Sequence, residues 1–156
     1  MITCTFEKGY EAALRHLVVH AIVEKDNGIL LVKRTGDLLE SGKWGLPGGY
    51  LDRDETAAQG ALRELKEETG WEGKIVELFR INTLPNRPKE DRQNVSFDFI
   101  ITPTVRSGLP DAESSDVQFV PLDSLMPFED YAFDHGETIQ LYLAHRKNHT
   151  TLPIVE

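Results

Sequence analysis

Glu64, Glu67 and Glu68 stand at i, i+3 and i+4, so a helix would project three carboxylates from one patch. Packed that closely, like charges repel one another unless something positive sits among them. A hard divalent cation, Mg²⁺ or Mn²⁺, held by oxygen ligands would supply that charge. The ordinary alternative is a solvated acidic face on a surface helix. Arg63 lies next to Glu64 and four residues before Glu67, on the side of the helix where it can orient a carboxylate by a charge-assisted hydrogen bond. Just upstream, Gly48-Gly49 lets the backbone approach a ligand closely.

These side chains need a helix, and the local sequence supplies one. Thr56 with Gln59 three residues on fits a capping box. Ala58, Ala61, Leu62 and Leu65 form one apolar face, and Gly70 sits where a left-handed cap ends the helix. Before it, residues 16–23 (HLVVHAIV) and 29–34 (ILLVKR) read as strands joined by a turn at Asp26-Asn27-Gly28, hence a hairpin. After it, residues 74–82 read as a strand and 82–94 as a polar loop. Val95, Phe97, Phe99 and Ile101 alternate as a half-buried strand ending near Pro103. Residues 107–116 read as a second polar loop, 117–120 as a short extended segment and 135–147 as a closing helix, with a loose tail from 148 to 156.

Gly49, five residues, Glu55, seven residues, then Arg63 through Trp71 resembles the Nudix box, the signature of the Nudix (MutT-like) hydrolases. Seven identities at fixed spacing make a chance match on the order of 10⁻⁸ per start position, which sets the solvated-helix alternative aside. Trp71 departs from the bulky aliphatic residue usual at the last position, a packing change rather than a chemical one. The resemblance, carried from Leu17 to about Arg146, implies a mixed β-sheet between helices, an α/β (α+β) Nudix fold, and the chain length fits one domain spanning residues 1–156. It implies hydrolysis of a nucleoside diphosphate linked to another moiety, with Mg²⁺ (or Mn²⁺) held by Glu64, Glu67, Glu68 and the Gly48 carbonyl, and Arg63 and Glu55 orienting the carboxylates. The general base is a box glutamate or an acid on a distant loop, where Glu113 and Asp116 are candidates ahead of Glu90 and Asp91. Arg34, at a strand end, and Arg87, Lys89 and Arg92, on the 82–94 loop, are candidate grips for substrate oxygens. Trp44 either stacks on a base or packs beneath its loop. His16 and His20 share a strand face, where core histidines are commoner than metal ligands.

Ala132-Phe133-Asp134-His135, and a proline about 15 residues beyond the box (Pro85), resemble the ADP-ribose pyrophosphatase-type branch. ADP-ribose or a nucleotide-sugar is therefore the expected substrate. A nucleoside triphosphate or an oxidised nucleotide is the second choice, and a nucleotide-sensing domain without catalysis ranks lower, because all three box glutamates are kept. A net charge of −9 with no Lys/Arg run argues against a nucleic-acid partner. The single cysteine, Cys4, fits a reducing cytoplasm. Neither a secretory signal nor a membrane-length apolar run is visible, and a monomer or homodimer is expected.

Overall fold

The computed structural model describes residues 2–87 and 93–156. The chain opens with a two-stranded antiparallel hairpin, β1 (Ile2–Thr5) and β2 (Glu11–Leu14). It continues into β3 (Leu17–Lys25) and β4 (Gly28–Arg34). Asp26 and Asn27, at φ 51° and 60°, are both left-handed, as a two-residue hairpin turn matched to strand twist requires. β3 and β4 pair only beside that turn, then diverge and recruit different neighbours.

One wing is built on β3. It pairs with β6 (Gly48–Tyr50) antiparallel and, on its other edge, with β8 (Val95–Arg106) in parallel. β8 pairs antiparallel with β7 (Trp71–Asn82), and the short β10 (Ile154–Val155) adds in parallel outside β7. The other wing is built on β4, flanked by β5 (Trp44–Gly45) and β9 (Ser114–Pro121). Side chains alternate along β3, so Val19, Ala21 and Val23 face one core and Ile22 the other. Ala61 and Leu65 of α1 (Ala57–Thr69) cover the first; Ile139 and Tyr142 of α2 (His135–Asn148) close the second. A mixed sheet thus lies between two helices, as the resemblance implied.

Helix α1 starts on the capping box of Thr56 and Gln59 and stops at Gly70, φ 73°. Four sequence expectations need correction. β9 starts at Ser114, inside the residues read as a loop. β7 begins at Trp71, whose ring meets Phe119 edge-on and carries Lys25 above it. β8 continues through Pro103 to Arg106, because the pairing with β3 ends at Ile101 and the missing N–H of Pro103 falls beyond it. The tail is tied down: Glu156 meets the fully buried Arg80 at 2.6 and 2.9 Å, and its backbone N–H donates to Ile81. Among the described residues no helix is long and apolar enough to cross a membrane.

Candidate active site

A cleft of about 580 Å³ opens where α1, β3, β6 and the start of α2 converge, and box residues line one of its walls. Arg63 is the hub of that wall. Its guanidinium donates to Glu55 at 2.8 and 3.1 Å, to Glu64 at 2.7 Å, to Glu67 at 3.0 Å and to the Tyr50 carbonyl at 3.0 Å. Arg63 draws Glu55 below the usual carboxylate range, and Glu55 in turn accepts the Asp52 N–H. Glu55, Glu64 and Glu67 are thereby held in one charged array, far more ordered than a solvated face.

Glu68 points the other way, into the protein. Only 5% exposed, it accepts one hydrogen bond, from the Gly48 N–H at 2.9 Å. Burial, offset by that N–H but reinforced by the charge of Glu64, pushes its carboxyl up to about 8. Burial likewise raises Glu64, against the pull of Arg63. The glycines make this geometry possible. A Cβ on Gly48 would stand 2.2 Å from the Val19 carbonyl oxygen, and one on Gly49 would stand 2.6 Å from a Glu64 oxygen.

The donor set is hard oxygen, and a buried carboxylate with one N–H partner fits a divalent cation that would discharge the repulsion. As placed, no three His, Cys, Asp or Glu side chains among the described residues converge as a ligand set. Arg63 draws Glu64 and Glu67, while Gly48 draws Glu68. Glu64, Glu67 and Glu68 are the residues that could hold the ion, by turning from these partners.

Glu113 reaches the cleft from the loop before β9, and so does Asp111, whose N–H donates to the Glu67 carbonyl. Asp116 does not: it lies on β9 opposite Lys33, away from the lining residues. Glu90, Asp91, Lys89 and Arg92 lie outside the described residues. Arg34 lines the cleft with its guanidinium 5.3 Å from the Phe133 ring centre and its Nε bonded to the Leu39 carbonyl.

Two expectations of substrate contact change. Trp44 is absent from the cleft wall; it packs on the α2-side core with Lys33 over its ring. Arg87 does line the cleft, but as half of a buried ion pair rather than a free cation. It meets Asp134 at 2.7 and 2.9 Å, and Asn82 also donates to that carboxylate. Burial opposes ionisation of Asp134, yet Arg87 carries it down to about 2.

Sequence reasoning named His20 as a core histidine and Arg87 as a loop cation but did not bring them together in the wall opposite the box. His20 is buried there with Nδ1 2.7 Å from Asp98, and its ring meets His135 edge-on at 4.6 Å. His135 Nδ1 accepts the Leu46 N–H at 2.9 Å, which places its proton on Nε2. Burial, and then the neighbouring His20, hold its pKa well below the ordinary value. Phe133 lines the cleft at φ 50°, a left-handed backbone rare outside glycine. The signal for this wall was the segment Ala132–His135, noticed only as a branch marker.

Residues 14–142 match the NUDIX domain. The ADP-ribose pyrophosphatase of Methanocaldococcus jannaschii is 32% identical over 127 residues, 81% of this chain and 72% of that protein. The 8-oxo-dGTP diphosphatase of Proteus vulgaris is 38% identical over 87 residues, 56% of this chain and 75% of that protein. Among solved structures, the NUDIX domain of Shewanella oneidensis NrtR complexed with ADP ribose superposes with a TM-score of 0.69 at 30% identity. That superposition covers 89% of this chain and 91% of the other.

Proposed function

The chain belongs to the NUDIX family, and from that premise we propose that it is a Mg²⁺-dependent pyrophosphohydrolase acting on a nucleoside diphosphate joined to a second moiety, with ADP-ribose the leading substrate. It is a hydrolase of phosphoric anhydride bonds, and Nudix hydrolases generally use divalent metal ions. The observation that carries the reading is the box wall: Arg63 bonded at once to Glu55, Glu64 and Glu67, with Glu68 buried beside Gly48 on the same cleft.

In this reading Glu64, Glu67, Glu68 and the Gly48 carbonyl hold Mg²⁺ or Mn²⁺, which supplies charge neutralisation and an acidified water. Arg63 keeps Glu64 and Glu67 in register, and Glu55 keeps Arg63 in place. Glu113 takes the proton of the attacking water. Arg34, fixed over Phe133, faces the substrate oxygens.

ADP-ribose is favoured by the Methanocaldococcus relative, by the ligand in the Shewanella structure and by the position of residues 133–135 in the cleft wall. Similarity to the Proteus enzyme keeps an oxidised nucleoside triphosphate as the second reading. A purely sensing role has less support, because every box carboxylate is present in the sequence. The test is kcat/KM for ADP-ribose, a nucleotide-sugar, ATP, dGTP and 8-oxo-dGTP at fixed Mg²⁺. ADP-ribose should lead; a triphosphate ahead by tenfold, about 1.4 kcal/mol of differential transition-state binding, reverses the assignment, and no turnover on any of them removes the enzymatic reading of the site.

A further inference from the structure

Arg15 lies in the short link between β2 and β3, outside the box and outside the cleft wall. Its guanidinium nevertheless donates to four backbone carbonyls, those of Thr83 at 2.8 Å, Leu84 at 3.3 Å, Asn94 at 3.4 Å and Gln93. Thr83 and Leu84 follow the last residue of β7, and Gln93 and Asn94 precede the first residue of β8. Because Asn82 and Ser96 are cross-strand partners, those four carbonyls belong to the neck of the β7–β8 connection. One planar fork therefore fastens both stems of the connection from outside.

The neck carries two residues of the cleft wall. Arg87 reaches inward to the Asp134 carboxylate and donates its other amine to the Asn94 carbonyl at 3.1 Å. Asn94 also lines the cleft, with its side-chain Oδ1 buried and without a hydrogen-bond partner among the described residues. Further anchoring comes from the Val95 N–H, donated to the His16 carbonyl, and the Leu84 N–H, donated to the Asn82 side chain.

We propose that Arg15 is a positioning residue for substrate binding: by clamping the β7–β8 neck it fixes Asn94 in the cleft wall as a specificity-determining residue for the nucleotide, and holds Arg87 against Asp134. This rests on the nucleotide-hydrolase reading of the cleft. Among the described residues the Arg15 guanidinium bonds only backbone oxygens, none of them in the box, so its removal leaves the box wall intact. The loss should appear in KM rather than in kcat.

The experiment compares Arg15→Met, Arg15→Lys and Asn94→Ala with the wild type on whichever nucleotide the wild type turns over best, at saturating Mg²⁺, together with hydrogen exchange at the Leu84 and Val95 amides. Arg15→Met and Asn94→Ala should each raise KM about tenfold, roughly 1.4 kcal/mol, with kcat within threefold. Arg15→Lys should recover part of the loss. The two neck amides should exchange faster in Arg15→Met, and guanidinium ion at tens of millimolar should restore its KM. Wild-type KM in Arg15→Met, a loss confined to kcat, or unchanged amide exchange overturns the clamp. Wild-type KM in Asn94→Ala overturns the role of Asn94. A wild-type enzyme without turnover on any nucleotide fails the reading of the cleft instead, while the amide exchange still reports on the clamp.

Discussion

Glu68 is the residue at which structure and chemistry pull hardest against each other. Its carboxyl, pushed up to about 8 against an unfolded value of about 4.3, holds a proton in the folded, metal-free protein that the unfolded chain gives up. The folded state binds more protons between those values, so this contribution to stability is full below about pH 4 and is lost as pH rises toward 8. Glu68→Gln should remove that slope and raise metal-free stability at pH 8 by about 2–4 kcal/mol, read by denaturant titration in EDTA. The same variant should lose about 10²–10⁴ in Mg²⁺-supported rate. Full turnover in Glu68→Gln would place Glu68 outside the site, and a difference between wild type and Glu68→Gln that stays constant with pH would mean its carboxyl is not raised by burial. For the base, Glu113→Gln should cut kcat strongly at near-normal Mg²⁺ dependence, and Asp116→Asn should not, since only Glu113 lines the cleft. Equal rates in both would hand the role to a box carboxylate. These acids stand three residues apart in a stretch that reads as one polar loop, and sequence alone had no means of telling them apart; the strand pairing of Asp116 with Lys33 is a tertiary fact.

At the scale of elements, α1 was legible because its signals are local: a cap, an apolar stripe and a left-handed glycine within fifteen residues. The hairpin of β3 and β4 was legible for the same reason. The wall opposite the box was not, because its partners lie far apart in sequence: His20 with Asp98, Arg87 with Asp134, Leu46 with His135. The last of these joins the turn between β5 and β6 to the start of α2. It is also why residue 45 is glycine, since a Cβ there would lie 2.6 Å from the imidazole Nδ1. His135 is buried neutral, and its lowered pKa gives a contribution to stability that is complete above about pH 6.5 and is lost as pH falls below it. A slope of up to about 1.4 kcal/mol per pH unit follows on the acid side. Glu68 slopes the opposite way over part of that range, so the quantity to measure is the difference between wild type and His135→Asn, whose amide oxygen keeps an acceptor for the Leu46 N–H. That difference should open between pH 6.5 and 5 and be flat above 7. A constant offset across the whole range would mean that the proton on His135 has no part in joining the two elements.

For the whole molecule, the instructive error is the tail. Residues 148–156 carry no periodicity, so no local reading could place them. Their order comes from one buried cation, Arg80, which reaches none of the box acids. Zero per cent exposed, it bonds to Thr138 on α2 and to Glu156 beyond β10, with Glu137 3.9 Å away and half exposed. A guanidinium taken out of water without a carboxylate is strongly unfavourable, so β7, α2 and the tail are bound into one unit by the need to neutralise it. The tail backbone completes the arrangement through the parallel pairing of Ile154 with Arg80 and Val155 with Ile81. Glu156→Gln keeps the shape and the backbone bonds while withdrawing the close counter-charge. It should destabilise the protein by about 2–4 kcal/mol, seen as a lower urea midpoint at unchanged m-value. Neither Arg80 nor Glu156 lines the cleft, so kcat/KM at 25 °C should stay within about twofold of wild type. Arg80→Met with Glu156→Gln, in which charge and counter-charge leave together, should recover most of the lost stability. If the double variant is no more stable than Glu156→Gln alone, the tail is held by its strand pairing and not by the buried charge.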